Sequence, residues 1–120
     1  MPDTGLALTS ARVKGIGTEP KYLDSGTGTT PPVAGNTGLE TPHGEDRVAG
    51  TSTQQTTTTT DDTYQVVGTI SYGSAGNITE VGLFDASTVG NLYVRATFDA
   101  IAVLSGDQII FTVQAVYNQA

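Results

Sequence analysis

Apolar and polar residues alternate with period two along most of the C-terminal half of the chain. In Leu92–Asp99, Leu92, Val94, Ala96 and Phe98 fall on one side and Tyr93, Arg95, Thr97 and Asp99 on the other. That is the pattern of a half-buried strand. In Gln108–Tyr117, Ile109, Phe111, Val113, Ala115 and Tyr117 alternate with Gln108, Thr112 and Gln114, and Ile110 and Val116 are left as apolar residues on the second face. Thr79–Asp85 alternates Val81 and Leu83 with Glu80, Gly82 and Phe84; in Tyr64–Tyr72, Tyr64, Val66, Ile70 and Tyr72 share a parity. Gly73–Asn77, Ala86–Asn91 and Ser105–Asp107 supply the turn residues between these runs. No run shows the 3.6-residue period of an amphipathic helix, and the pattern predicts no helix longer than two turns.

The strands pair on paper. With Asp85 opposite Leu92, Leu83 faces Val94 and Val81 faces Ala96, so the four apolar partners share one face, as register demands. The same register sets Glu80 opposite Thr97 and diagonal to Arg95, within reach of an ion pair. On an outward face such a pair is a solvated contact worth at most about 1 kcal/mol, the plainer reading; the alternative is a buried pair that specifies the arrangement. After Phe98 two routes stay open. A direct hairpin sets Phe98 opposite Ile109; alternatively Ile101–Leu104 forms a short strand of its own that crosses to a second sheet. The expected core is Val66, Ile70, Val81, Leu83, Leu92, Val94, Phe98, Ile109, Phe111 and Val113.

The N-terminal half reads differently. Leu6–Lys14 has a partial alternation, read as an edge strand or extended arm. Gly15–Thr63 is poor in large apolar residues and dense in Gly, Pro and Thr, which forbids long regular elements. Tyr22, Leu23, Val33 and Leu39 are spaced anchors in it. Thr51–Thr63 (TSTQQTTTTTDDT) is polar and of low complexity, with its second half the better strand candidate because it leads into Tyr64. The chain thus divides into an extended, loop-rich half at residues 1–63 and a compact β core at 64–120 within a single domain. A core that small seldom stabilises itself without help. Further strands or a partner must supply it, and part of Gly15–Thr63 is expected to have few contacts within its own chain.

Composition sharpens this picture. Charged residues are only 14% of the 120, Gly numbers 15, and Cys is absent. These values favour an all-β fold with many turns and exclude disulfides and thiolate metal sites. The formal net charge of −7 repels a phosphate backbone, so nucleic acid is not an expected partner. No apolar run is long enough to cross a membrane and no signal-peptide pattern opens the chain, so a soluble protein made in a cytoplasm is expected.

Candidate chemistry is sparse. His43 is the sole histidine, beside Glu45 and Asp46, with no nucleophile marked nearby; a surface-loop residue is the plain reading. Gly26-Thr27-Gly28-Thr29-Thr30 has the look of a phosphate-cradling loop, but no Lys follows and Pro31-Pro32 blocks a helix start. Asp61-Asp62 and Glu45-Asp46 lack the spaced pattern of a calcium loop. Tyr93, on the exposed parity beside Arg95, is the candidate for stacking on a sugar. No enzyme, metal or cofactor is expected.

Two stretches, Pro20–Glu40 (PKYLDSGTGTTPPVAGNTGLE) and Ile78–Val116 (ITEVGLFDA, then GNLYVRATF, then a Gly-Asp turn and a last strand), resemble small virion proteins of tailed bacteriophages. Together they cover about half the chain. The resemblance implies a structural virion protein, most like a capsid decoration or cement protein with an antiparallel β-sandwich or jelly-roll-like fold. It carries no catalytic residues. The implied partner is the major capsid protein, on the virion surface, with the protein itself a homotrimer. Tyr22, Leu23, Val33, Leu39, Phe84, Ile110 and Val116 are the candidate oligomer or capsid contacts. The alternative is a neck, tail or fibre module binding a receptor or glycan; a free carbohydrate-binding module is a third reading.

Overall fold

The computed structural model describes residues 1–117. Helix α1 (Asp3–Lys14) is followed by strands β1 (Tyr22–Gly26), β2 (Val48–Ala49), β3 (Thr51–Gln55), β4 (Thr63–Ser71), β5 (Gly76–Phe84), β6 (Leu92–Val103) and β7 (Gln108–Val116). The strands form two antiparallel sheets, ordered β2-β1-β5-β6 and β3-β4-β7. The fold is the expected all-β sandwich, with a helix laid on its first sheet.

The helix corrects the strand reading of Leu6–Lys14 and, at 12 residues, exceeds the two turns expected. Its periodic signal is weak because of its large apolar residues only Leu8 is buried, while Leu6 and Val13 are exposed. Packing decides it. Thr4 donates its hydroxyl to the Leu92 carbonyl at 2.7 Å. Gly5 lies so close to β6 that a Cβ there would meet the Tyr93 carbonyl oxygen. Gly15, at φ 89°, closes the last turn with its N–H on the Arg12 carbonyl, and Ile16 follows with its N–H on Ala11.

In the first sheet β5 and β6 keep the expected register in their middle: Val81 opposite Ala96, Leu83 opposite Val94, Glu80 opposite Thr97. A bulge then shifts it, so that Phe84, not Asp85, stands opposite Leu92. The bulge also overturns the parity of the strand's start. Tyr93, expected outward, is 2% exposed and packs edge-on against Tyr64 of the other sheet, centroids 5.9 Å apart. Leu92, expected beside Val94, lies instead with Leu39 and Phe84 around Gly82.

After Phe98 the direct hairpin is not made; the chain crosses to a second sheet, but Ile101–Val103 continue β6 instead of forming a strand of their own. β6 runs unbroken to Val103, and the chain then crosses through Leu104–Asp107 to the other sheet. There β7 pairs with β4 over nine residues, from Ser71 opposite Gln108 to Thr63 opposite Val116. The threonine-rich run is likewise reversed: its first part is β3, and its second part is a turn. The Asp62 carboxylate imposes that turn by accepting the N–H groups of Thr57, Thr58 and Thr59 at 2.9–3.0 Å. Those bonds hold Asp62 well below the usual carboxylate range.

The N-terminal half is built into the core. β1 sits between β2 and β5, and Leu23 is fully buried against Gly50 and Gly68. Val66, Ile70, Val81, Leu83, Leu92, Phe111 and Val113 are buried as expected, and Val94, Phe98 and Ile109 pack partly buried against them. β7 shows a clean alternation of buried and exposed residues, whereas β5 is buried continuously from Ile78 to Phe84. A strand buried on both faces needs cover on both. The second cover comes from residues 27–41, which bond to Thr79 and Glu80.

Candidate functional site

The cover is fastened at one charged pair. Glu80 and Arg95 project from β5 and β6 on the side away from the second sheet, and their side chains are 0% and 2% exposed. The Arg95 Nε donates to Glu80 Oε1 at 2.8 Å. Three backbone N–H groups of the covering loop also donate to the same carboxylate: Gly28 at 2.7 Å, Glu40 at 2.9 Å and Thr41 at 2.9 Å. Burial alone would raise the Glu80 carboxyl, but Arg95 and these amides outweigh it and hold its pKa below the ordinary value. The surface reading of Glu80 and Arg95 is therefore corrected in favour of the alternative, a buried pair: both are interior. Glycine is required at 26 and 28 because a Cβ at either position would come within 3 Å of Glu80 Oε2. The loop that looks like a phosphate cradle does cradle an anion, and that anion is the chain's own Glu80.

This joins the two stretches that carry the phage resemblance. The Gly-Thr-Gly-Thr run and Leu39-Glu40 come from the first, Glu80 and Arg95 from the second. The expectation that part of Gly15–Thr63 has few contacts within its own chain holds for the exposed residues 29–35, while the loop is anchored at both ends by Gly28, Glu40 and Thr41. Two smaller fastenings assist. Arg47 lies 3.6 Å over the Phe84 ring and donates to the carbonyls of Ala86 and Val89. His43 is held by Glu45 at 2.7 Å and by the Ala75 carbonyl, and packs edge-on against Tyr72. The Glu45 contact raises the His43 pKa above its ordinary value. Its ring is 10% exposed, more enclosed than a surface-loop histidine.

The other flank is bare. β6 ends the first sheet and β7 ends the second, and they do not pair with each other. Between them runs a cleft of about 560 Å³ whose apolar lining includes Val81, Phe98, Ile101, Ile109, Phe111 and Val113. Ile101 is 43% and Ile110 70% exposed. Neither strand contains Pro or Lys, residues that commonly blunt a free edge.

The seven candidate contact residues are scattered over these regions. Leu23 and Phe84 are interior and have no surface to offer a partner. Tyr22 and Leu39 are half-buried, Leu39 under the covering loop. Val33 stands exposed at the loop's crest. Ile110 and Val116 are exposed on β7, with Ile110 at the cleft. Of the seven, only Ile110 is brought to the cleft; Val116 lies outside it, at the far end of β7 opposite Thr63. Ile101 was missed because it lies past the strand's expected end. Among the described residues no group of three or more His, Asp or Glu side chains gathers as a metal site.

A family model described as Podophage GP4 fiber I protein gp80 matches residues 14–119. No curated protein and no solved structure matches the chain.

Proposed function

The chain belongs to the Podophage GP4 fiber I protein gp80 family and is a phage structural protein; from that premise we propose that it is a non-enzymatic module of a tail fibre, joined to its neighbours through the β6/β7 cleft. The open flank supports the reading. A monomer that spends its charged residues and glycines on covering one flank, yet leaves an apolar cleft between two free edges on the other, is built to be completed by another chain. The occupant we assign to the cleft is a second copy of this chain. Closed cyclic symmetry would satisfy every copy equally, whereas an open arrangement would polymerise. A homotrimer is the form we infer.

Capsid decoration, with the major capsid protein as partner, is the second reading; the resemblance of Pro20–Glu40 and Ile78–Val116 to decoration proteins favours it. Both readings place the chain in the virion, and copy number separates them. Densitometry of purified virions, with antibody labelling in the electron microscope, is expected to show a few to a few dozen copies at the tail. Hundreds of copies spread over the head would replace the fibre reading with the decoration reading. Absence from virions would overturn both.

A further inference from the structure

Where α1 meets the edge of the second sheet, two hollows share a wall. One, of about 560 Å³, is lined by Leu8, Arg12, Glu19, Tyr64, Tyr93 and neighbours. The other, of about 350 Å³, is lined by Ser52, Thr53, Asp61 and Asp62 among others. Gln54, Tyr64 and Tyr117 border both. Tyr117 is 44% exposed and stands on the shared wall. Its hydroxyl end lies beside the hydroxyls of Tyr93, which is buried, and of Thr9. Tyr64 is fixed by donating to Glu19 at 2.9 Å and to the Pro20 carbonyl at 3.1 Å.

We propose that this double hollow is a binding site for a neutral oligosaccharide, with a pyranose ring seated on Tyr117. A half-exposed aromatic ring bordering two hollows offers a face to the axial C–H groups of a sugar. The lining also includes Gln54, Arg12, Glu19 and Asp61; the first three each spend one side-chain atom on a bond within the chain and keep another for a ligand hydroxyl. Mixed donors and acceptors on a shallow apolar floor suit a ligand that is polar at its rim and apolar on its faces. The acidic residues Glu19 and Asp61 in the lining and a net charge of −7 disfavour acidic glycans and nucleic acid. The site deepens the fibre reading, since it gives a fibre module something to touch, but it stands on a different part of the molecule from the cleft.

The test is saturation-transfer NMR on the whole chain with neutral disaccharides of glucose, galactose and mannose. At least one is expected to receive saturation on its ring C–H protons. Tyr117→Ala is expected to weaken that sugar at least about tenfold, as truncating a central aromatic contact does. Tyr117→Phe, which keeps the face, is expected to bind, and Ile110→Lys at the remote cleft to bind unchanged. No saturation of any neutral sugar by the folded protein overturns the proposal. So does binding that survives Tyr117→Ala, or a clear preference for uronic-acid sugars or for extended peptides tested alongside. A chain absent from virions that still binds sugar would sink the fibre reading alone.

Discussion

The two flanks of the sandwich solve the same problem in opposite ways. On one, the chain passes from sheet to sheet without leaving strand geometry: β2 ends at Ala49, Gly50 makes the corner, and β3 begins at Thr51. Gly50 is obligatory there, because a Cβ would lie 2.4 Å from a Val66 methyl. The adjoining face of the first sheet is covered by residues 27–41, clamped on Glu80. On the other flank the sheets simply stop, and Ile101 and Ile110 face outward over an apolar cleft. Stability is therefore concentrated where the chain completes itself, and association is left to the flank where it does not.

The strongest way to break this contrast is at the clamp. Glu80→Ala leaves Arg95 buried and unpaired and frees three loop amides, so it is expected to cost about 3–5 kcal/mol, read as a lowered midpoint in urea. A change below about 1 kcal/mol would mean the loop is not held as described. The pH dependence carries the same signature. A carboxylate whose folded pKa lies below its unfolded one stabilises the protein above the ordinary range, near 4.3 for Glu. That contribution is lost as pH falls from there through the folded pKa. Glu80→Gln is expected to flatten the acid limb of the stability–pH curve; an unchanged limb would locate acid sensitivity elsewhere.

Next in size is the corner. Gly50→Ala forces a methyl into Val66 and is expected to cost about 1–3 kcal/mol by overpacking, measured by thermal unfolding. A neutral result would show that the corner can open. The smallest effect on the monomer belongs to the bare flank. Ile110→Lys is expected to change its stability by no more than about 0.5 kcal/mol, yet to abolish self-association in sedimentation experiments at moderate salt, where the −7 charge per chain is screened. If it unfolds the chain, or if assembly persists, the division of labour between the flanks is wrong.

Much of β5, β6 and β7 was legible because the signal there is local. Alternation set the faces of β7, and the apolar partners Val81, Leu83, Val94 and Ala96 allowed one sensible register. That register also put Glu80 near Arg95. Their burial was not legible, because it depends on a loop forty residues away in sequence laying its amides on the carboxylate. The glycines at 26 and 28 held the clue: they stand where only bare backbone can approach an anion, and Glu80 was the anion within the chain. The bulge at Tyr93 left no mark in the pattern, since one inserted residue reverses parity without changing composition. The tyrosine hollow stayed hidden with it.

By itself the sequence determined the class: turn-rich, threonine-rich and alternating, it specifies a sandwich, because period two buries one face of each strand and nothing in it sustains a long amphipathic helix. It also determined the residues of the clamp, though not their role. Only the tertiary structure decided that Leu6–Lys14 is helical, that β7 leaves β6 for β4, and which flank is left open. Each of those turns on contacts between segments far apart in the chain, where the gain from burial outweighs weak local preference. Local pattern records what a residue prefers; the partner it meets across the fold decides whether that preference is met.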